Sequence, residues 1–531
     1  MAGFARTAHL RFIFFNILFG ASSAFAEINH ATTLIRPNFF ASPQSISAIN
    51  SLHSENNTGS HAIKTAVSVF YSKNFSPKFI GAGLGPSDSN IFSVTTESLK
   101  GDVNSDYMIS VLTAHDSYSL QAVNETIHRP QATITFTPDQ QETGINLLFH
   151  HDLDLPINDC FYRIEVSFVH QKRSLNAVYS QEKVTKTDLS DIISIKDFFN
   201  GAEQSLSYGL SHLKIPQQMQ KRSHFDRVQI TAGHHLLNTN AYRVTLFGCA
   251  QIPCGPDDSY EFIFAPEIGT KHLHVGLGCT TNLTISKTIS SQWDISNTSI
   301  AGYNFPKNEP RIPTIANLSW WHYYQSLQNG VPADSWLSPA VNSLPKSLNI
   351  NQGLSLQNIT LVSYQKHSTV INCGISAGYK EEEKNTPTIP WTDNTFGITN
   401  KFINPINFTG ASNNPSAPAF YIEGRMYPRT AGALPETTGE TSIVSGTTTL
   451  TPLTTGARGQ NMCKKKINNK DLNLNHPTLF YYQLFASFGQ KITLSDDSNL
   501  FINSGLQISF GSPKELVMRN YQLWLNIGCN F

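Results

Sequence analysis

The residues whose types and spacing could best support chemistry form two short histidine clusters. The run from His150 to Asp154 reads His-His-Asp-Leu-Asp, and His234 and His235 form a second doublet. Imidazole and carboxylate groups at this density could bind a metal ion or transfer protons. Adjacent residues of a strand point to opposite faces, so each doublet presents one imidazole at most to a shared site. A metal needs two or three further ligands from neighbouring strands, and the sequence offers no assignable set.

A search for known catalytic and cofactor-binding motifs finds no further site. The sequence contains no G-x-S-x-G elbow, H-E-x-x-H motif, P-loop or dinucleotide-binding fingerprint. We therefore predict no catalytic, cofactor-binding or metal-binding residues, and no cofactor. We expect His150 and His151 at a rim or in a loop.

Three charged residues are of interest for a different reason. Arg163, Glu165 and Arg243 lie on the polar faces of segments that alternate apolar and polar residues. In a sheet that closes on itself, such groups would line the lumen and tune which solutes pass. The alternative is that they form salt bridges that close a narrow barrel. We treat Arg163, Glu165 and Arg243 as candidate lumen-lining residues.

The elements that position these residues are strands, and the clearest lie towards the C-terminus. Residues 273–285, 371–379, 480–489 and 500–510 alternate apolar with polar or small residues, and Ser495 to Asn499 predicts a turn. Their apolar faces carry no charge, as a lipid-facing surface requires, because a Lys or Arg at mid-membrane costs about 2–4 kcal/mol. Weaker alternation marks further candidate strands at residues 63–71, 132–137, 144–150, 162–168, 228–246 and 293–303.

The last strand ends the chain on an aromatic residue. Alternate residues from Tyr521 to Phe531 form an apolar face, and the residues between them form a mostly polar face. A soluble protein rarely ends its chain on such a strand, whereas a closed barrel needs its last strand to pair with its first.

The N-terminus predicts a signal peptide over residues 1–26. Arg6, His9 and Arg11 precede an apolar run from Phe12 to Ala21, and Ala24-Phe25-Ala26 has the pattern of a cleavage site. The alternative is a buried N-terminal helix. The remainder contains no apolar run of about 18 residues, so the mature chain is either exported and soluble or a barrel.

The composition excludes some partners and leaves the cysteines open. Charged residues make up 14% of the chain and the net charge is zero, so nothing indicates a nucleic-acid partner. Of the seven cysteines, Cys279, Cys373 and Cys529 lie on apolar strand faces, where Cys behaves as a small hydrophobe. Cys249 and Cys254 could form a small disulfide loop, because an exported protein meets an oxidising compartment.

These features resemble Gram-negative outer-membrane β-barrel proteins. The resemblance rests on the signal peptide, the alternating strands and the terminal aromatic, and Leu523, Leu525, Ile527 and Phe531 match the C-terminal assembly signal of that class. Cys529 departs from it, since an aromatic is common there. The stretch Tyr260 to Leu283 is similar to a block found in large, functionally uncharacterised barrels. The resemblance implies Sec-type export, outer-membrane lipid and the barrel-assembly machinery as partners.

The predicted fold is all-β: a closed transmembrane antiparallel up-and-down β-barrel of about 12 to 16 strands over residues 27–531. It carries a short helix between Ser194 and Ser205, or an irregular connection there, and one long inserted loop over residues 380–476. The final strand of such barrels ends in the periplasm, which places the 380–476 loop outside the cell unless it folds into the lumen as a plug. Trp320 to Tyr324 could form an aromatic girdle, a lumen-lining loop or a hairpin against a plug.

Three functions remain compatible with the sequence. The first is a porin-like channel or transporter for small solutes. The second is a surface-exposed structural or adhesive barrel that acts through the 380–476 loop, and the third is a soluble exported β-sandwich. We predict no enzyme, although some barrels of this class are hydrolases.

Overall fold

A computed structural model gives the architecture of the chain. It describes residues 45, 63–84, 89–95, 131–153, 160–183, 195–201, 212–239, 241–256, 261–269, 271–312, 314–315, 323–328, 331–332, 338–339, 346–390, 396–399, 402–407, 418–422, 425–428, 463–467, 469–473, 476–495, 498–512 and 519–531. The predicted signal peptide, Trp320 to His322 and most of the 380–476 loop lie outside these residues.

Twelve strands form a closed antiparallel barrel. Each strand pairs with its neighbours in the chain, so the topology is up-and-down. The barrel strands are β1 (Ile63–Asn74), β2 (Asp139–Leu153), β3 (Cys160–Ser174), β4 (Gln220–Asn238), β5 (Tyr242–Pro253), β6 (His274–Lys287), β7 (Ser291–Asn304), β8 (Gly353–Lys366), β9 (Thr369–Lys380), β10 (Leu479–Thr493), β11 (Asn499–Ser512) and β12 (Asn520–Asn530).

The first and last strands close the barrel. β1 pairs with β12 along eleven residues, from Lys64 opposite Asn530 to Asn74 opposite Asn520. Ile63 and Phe531 extend this seam, because the backbone N–H of each donates to the carbonyl of the other, at 3.2 and 2.9 Å. The closed seam leaves neither strand with an exposed hydrogen-bonding edge.

Strict alternation assigns one face of each strand to the outside. On β12, Leu523, Leu525 and Ile527 are 38–48% exposed, whereas Trp524 and Asn526 between them are at most 4% exposed. Outward aromatic residues lie near both ends of the strands, such as Trp293 and Tyr303 on β7. Ten residues separate them, about 33 Å along the strand, which at a tilt of about 40° matches the apolar band of about 25 Å in outer-membrane barrels.

The two ends of the barrel differ in the length of their connections. Segments of two to six residues join β2 to β3, β4 to β5, β6 to β7, β8 to β9 and β10 to β11, and both Ile63 and Phe531 lie at this end. We call it the short-turn end. The opposite, long-loop end carries longer segments, of which the longest joins β9 to β10 over residues 381–478.

Small sheets accompany the long loops. The first contains Ile91–Thr95, Gln131–Thr135 and Val178–Lys183, and the second contains Lys307–Arg311, Lys346–Asn351 and Lys384–Pro387. The third pairs Thr314–Ile315 with Leu472–Asn473, and the fourth combines Tyr323–Gln328, Val331–Pro332, Ser338–Pro339, Phe396–Thr399 and Cys463–Ile467. The fifth contains Phe402–Asn407, Pro418–Ile422 and Arg425–Pro428. The helices with described bounds are Pro77–Leu84, Ile195–Asn200 and the 3₁₀ turn Asn469–Asp471. Among the helices that the structure describes, none is long and apolar enough to cross a bilayer.

The fold confirms the predicted barrel and corrects several details. The soluble β-sandwich is wrong, because the strands close into one ring. The 132–137 candidate is a strand, but it belongs to a small sheet and not to the barrel wall. The Cys249–Cys254 disulfide is also wrong: both thiols are free, since the Cys249 side chain is buried on the inner face of β5 while Cys254 follows the strand. The predicted short helix is present as Ile195–Asn200.

Candidate functional site

The inward faces of the twelve strands form a lumen with two chemically different sides. We call the inward residues of β1 to β5 the charged wall; its charged members are Lys64, Glu142, Asp152, Arg163, Glu165, Arg173, Arg222, Asp226, Arg227 and Arg243. We call the inward residues of β8 to β12 the amide wall. Between Lys380 and Lys491, which lie at its two ends, the described inward residues of the amide wall carry no charge. The lumen is therefore asymmetric, and its field points across the barrel.

The charged wall is most tightly connected near the short-turn end. Lys64 Nζ donates to Asp152 Oδ2 at 2.8 Å, and the other oxygen of Asp152 lies 2.9 Å from His150 Nε2. Lys64 and His150 face each other directly across the β1–β2 pair. The three groups form one hydrogen-bonded cluster, since Asp152 bridges both partners.

The three candidate lumen-lining residues lie on this wall. Arg163 and Glu165 occupy successive inward positions of β3; an Arg163 guanidinium nitrogen lies 3.5 Å from Thr231 Oγ1, and Glu165 is 3% exposed. Arg243 is inward on β5 near the short-turn end, where its Nε donates to Asn238 Oδ1 at 3.1 Å. The structure thus brings Arg163 and Glu165 together and places Arg243 apart from them.

Side-chain amides and hydroxyls connect the strands of the amide wall. Asn372 and Asn503 both donate to Ser487 Oγ, at 3.1 and 3.2 Å, and Gln483 and Gln507 both donate to Ser509 Oγ, at 3.3 Å each. These contacts use the amide nitrogens, and the side-chain oxygens of Gln483, Asn503 and Gln507 are buried on the inner side of the wall. Such a surface offers acceptors to a polar solute without a net charge.

Inward aromatic rings lie over inward glycines of the neighbouring strand. Directly paired examples are Phe70 with Gly144, Phe161 with Gly233, Phe247 with Gly278, Phe485 with Gly374, Tyr481 with Gly378, Trp524 with Gly505 and Phe501 with Gly528. In each pair the ring occupies the space that a Cβ on the glycine would take. The rings therefore lie along the wall and do not project across the lumen.

The segment 261–269, which we call the mouth cap, docks on the charged wall at the long-loop end. Arg173 donates to the Ala265 carbonyl at 2.6 Å and stacks on the Phe264 ring at 4.9 Å, and the Glu267 N–H donates to Gln171 Oε1 at 2.8 Å. Gly269 adopts φ +84°, where a side chain would be strained. The cap is thus held by buried hydrogen bonds and covers this side of the mouth.

A second set of contacts joins three loops on the other side of the mouth. We call His272, Glu309, Arg311, Lys380, Glu383 and His476 the rim cluster. Glu383 is the centre of this cluster: Arg311 and Lys380 donate to its two oxygens at 3.0 and 2.9 Å, and its backbone N–H donates to the His476 carbonyl at 2.9 Å. His272 Nε2 lies 3.2 Å from Glu309.

Burial and neighbouring charge compete in the rim cluster. Burial raises the pKa of Glu383, but Lys380, Arg311 and His476 outweigh it and hold that pKa well below its usual value. Burial lowers the pKa of His476 to about 3, assisted by Arg311 and Lys380. At neutral pH the cluster therefore contains an ionised carboxylate between two cations and a neutral imidazole.

The two histidine doublets do not form a metal site. His150 faces the lumen, while His151 faces outwards and lies 3.3 Å from the Tyr162 hydroxyl; His235 likewise faces inwards and stacks on Phe161. Across the described part of the chain, no group of three or more His, Cys, Asp or Glu side chains could hold a metal ion. The expectation of one inward imidazole per doublet matches this arrangement. His150 and His151 lie in the last turn-proximal residues of β2, at the rim of the short-turn end and not in a loop.

Several solved structures align with about nine tenths of this chain, at low sequence identity. An outer membrane channel from Pseudomonas putida F1 aligns with 89% of this chain and 96% of its own, at 8% identity and a TM-score of 0.35. The transport unit of the autotransporter AIDA-I from Escherichia coli aligns with 92% and 96%, at 8% identity and 0.29, and a Pseudomonas aeruginosa FadL homologue with 89% of each chain, at 8% and 0.24. No protein-family model and no curated protein matches the chain.

The class of the protein follows from its own strand pairing and exterior. A closed ring of twelve antiparallel strands has an apolar outer band, a polar inner face and connections of unequal length at its two ends. The chain is a transmembrane β-barrel of the bacterial outer-membrane type.

The sequence did not reveal the contacts between loops and barrel at the long-loop end. The mouth cap lies in the stretch that resembles a block of uncharacterised barrels, but its contacts with Arg173 and Gln171 join residues more than 90 positions apart. The rim cluster combines residues of three loops in the same way. Pro266 and Gly269 were the available signal of an ordered turn.

Proposed function

We propose that the barrel is an outer-membrane channel that passes small polar solutes through its lumen. The observation that carries this proposal is the asymmetric polar lining, with charges on β1 to β5 and neutral amides on β8 to β12. A barrel that served only as a scaffold would need no such lining, because apolar packing could fill it. By the usual polarity of these barrels, the short-turn end faces the periplasm and the long-loop end faces outwards.

The mouth cap covers the charged wall at the long-loop end, so transport along this wall requires a movement at the mouth. Inward residues such as Glu142, Gln171 and Arg173 are at most 6% exposed beneath the mouth cap. Arg173 makes four contacts with the cap or its supports: the Ala265 carbonyl, the Phe264 ring, the Glu267 carboxylate at 3.8 Å and Gln140 at 2.7 Å. Release of the cap from Arg173 would open this side of the lumen.

Export and assembly form part of the same proposal. Residues 1–26 would direct Sec-type export, and Leu523, Leu525, Ile527 and Phe531 would be recognised by the barrel-assembly machinery. The adhesive alternative depends on the 380–476 loop, most of which lies outside the described residues, and no observation on the described part favours it.

Conductance in planar lipid bilayers tests the channel. We expect the refolded chain to open in discrete steps and Arg173→Ala to increase the fraction of time spent open. Lys172→Ala is the matched control, because Lys172 immediately precedes Arg173 in β3 and points to the outer face of the barrel. Folded protein that keeps the bilayer sealed, both unmodified and as Arg173→Ala, would count against a channel.

A further inference from the structure

Two arginines of the charged wall hold the mouth cap by its backbone. Arg173 Nη1 donates to the Ala265 carbonyl at 2.6 Å, and Arg222 Nη1 donates to the Pro266 carbonyl at 3.4 Å. A second oxygen lies beside Arg173, because the Glu267 carboxylate is 3.8 Å from the same Nη1 atom. Carbonyl and carboxylate oxygens of the cap therefore lie against the two guanidinium groups at the long-loop end of the lumen.

The two guanidinium groups are close enough to share one ligand. Arg222 pairs with Gln171 across β3 and β4, so Arg173 lies at the diagonal position, two residues farther along β3. Diagonal neighbours in an antiparallel pair are about 7–8 Å apart, within reach of long side chains. Both arginines already approach successive residues of the cap, so their nitrogen atoms converge on one short stretch of oxygens.

Backbone carbonyls are weak ligands for this pair of arginines. A neutral carbonyl brings no charge, whereas a carboxylate or phosphate group accepts two parallel hydrogen bonds from one guanidinium and neutralises its charge. The docked cap also holds Phe264 at φ 60°, in the left-handed region where a residue with a Cβ is strained. An oxyanion therefore competes favourably with the cap for both arginines.

The charges at this end of the wall favour the same class of ligand. Among the described residues, three basic and three acidic side chains lie on the cap or on the charged wall beneath it: Arg173, Arg222, Arg227, Glu142, Asp226 and Glu267. Of these six, Glu267 alone belongs to the cap, so undocking of the cap leaves one positive charge in excess. The amide wall on the other side of the lumen is uncharged and does not cancel this excess.

Buried arginines farther down the charged wall are an independent indication of an anionic ligand. Arg227 is 9% exposed, and within the described residues its Nε–H is buried without a hydrogen-bond partner. The carboxylate of Asp226 lies 3.6 Å from Arg227 Nη1. The Nε–H of Arg163, nearer the short-turn end, is buried in the same way. Since a buried donor without a partner is costly, an anion that moves along β3 and β4 gains a hydrogen bond at each position.

We propose that Arg173 and Arg222 form an oxyanion-binding site at the mouth, and that a solute with a carboxylate or phosphate group displaces the mouth cap from them. While the cap is docked, the Ala265 and Pro266 carbonyls stand in for the oxygens of that solute. The site rests on the geometry of the arginines alone, whereas the role of the oxyanion as the transported solute rests on the proposed channel function.

Equilibrium dialysis of the refolded chain in detergent measures the site without any need for conduction. The probes are inorganic phosphate and succinate, with glucose as an uncharged comparison, at constant ionic strength. We expect saturable binding of at least one anion and none of glucose. Arg222→Gln should weaken anion binding by about tenfold or more, the effect of one hydrogen bond to a charged group.

Lys221→Gln is the matched control for that variant. Lys221 is the adjacent residue of β4, carries the same charge and lies on the exposed outer face. Its replacement should leave the affinity for phosphate and succinate unchanged. No saturable binding of either anion, or an equal loss of affinity in both variants, would overturn the inference. Binding of only one of the two anions would support the site and identify the group that it accepts.

Thiol labelling tests displacement of the cap in a chain that keeps both arginines. Ile268 lies in the cap and is 0% exposed, so the test chain carries Ile268→Cys, with its seven native cysteines replaced by alanine. We expect the bound anion to raise the rate of maleimide labelling several-fold and glucose to leave it unchanged. Ser290→Cys, in the exposed β6–β7 turn, should react equally with and without anion. Anion binding without faster labelling at position 268 would overturn the inference.

Conductance separates this inference from the channel itself. If an anion binds and uncovers position 268 while the bilayer stays sealed, the proposed channel fails and the oxyanion site stands. If the chain conducts but binds neither phosphate nor succinate, the channel stands and the oxyanion site fails.

Discussion

Arg163 and Glu165 present opposite charges to the lumen from successive inward positions of β3. Removing either leaves the other to act on passing ions. We expect Arg163→Gln to shift the reversal potential towards cations and Glu165→Gln to shift it towards anions. Each permeability ratio should change by about twofold, the effect of one charge about 8 Å away in water.

A charge outside the lumen provides the control for this measurement. Lys366→Gln removes a cation at the exposed, outward end of β8. Its reversal potential in a salt gradient should equal that of the unmodified chain. Parallel shifts in Arg163→Gln and Glu165→Gln would show that their charges do not face the permeation path.

The pairs of aromatic rings and glycines provide a second prediction at single residues. A methyl group on Gly378 would occupy the position of the Tyr481 ring, which packs directly against it. We expect Gly378→Ala to lower the free energy of unfolding by about 1–3 kcal/mol, as overpacking does. Urea unfolding of the refolded barrel measures it.

Gly248 offers the matched control for that substitution. It also lies in a barrel strand, but a Cβ there would meet nothing closer than 3.8 Å. Gly248→Ala should leave the urea midpoint unchanged. Equal losses in both variants would mean that any alanine in these strands is destabilising, whatever ring lies opposite.

At the scale of the loop elements, the rim cluster makes the long-loop end sensitive to acid. His476 has a pKa of about 3 in the folded state and an ordinary value near 6.5 when unfolded. The unfolded state therefore binds more protons between these values, and stability falls as the pH drops through this window. The lowered pKa of Glu383 contributes below about pH 4.3, where the unfolded carboxyl is protonated.

Unfolding between pH 6.5 and 5 isolates the histidine, because Glu383 stays ionised there in both states. His476→Asn should flatten the pH dependence of the urea midpoint, removing up to about 1.4 kcal/mol per pH unit. His367→Asn, in an exposed turn, should keep the slope. An unchanged slope in His476→Asn would show that this imidazole is already protonated in the folded barrel.

The sequence predicted the strands well where their outer faces are apolar. The windows at 371–379, 480–489 and 500–510 correspond to β9, β10 and β11 because alternation there is uninterrupted. β7 gave a weaker signal and β8 was not predicted, since Asn297, Ser299, Asn358 and Thr360 lie on their outer faces. These side chains bond to one another, with Asn358 Nδ2 2.8 Å from Ser299 Oγ. A single sequence cannot show that pairing, which depends on register.

The sequence predicted which residue types face the lumen, but it did not predict which of them contact one another. Alternation assigned Arg163, Glu165 and Arg243 to the inner face before any register was known. The mouth cap and the rim cluster were missed because their partners come from different long loops. The hydrogen bond from the Ser45 hydroxyl to Glu165, which lies 120 positions away in the sequence, was missed for the same reason.

At the scale of the whole molecule, Phe531 allows assembly to be separated from stability. Its backbone completes the seam with Ile63, but its side chain is 63% exposed. We expect Phe531→Ser to reduce the amount of barrel assembled in cells and to leave the urea midpoint of refolded protein nearly unchanged. Leu494→Ser, exposed in the β10–β11 turn, is the control. Equal assembly of both variants would contradict a role for Phe531 in recognition.

The seam between β1 and β12 also fixes the order in which the molecule can be completed. Thr65 and Cys529 touch across it although 464 positions separate them. No closed ring exists until the last residues have been synthesised, and loop closure over such a distance is slow. Both strand edges therefore stay open for the longest part of biogenesis, when pairing with another chain is the main hazard. Any factor that escorts the chain to the membrane therefore has to protect these two edges, and this matters more than the stability of the finished ring.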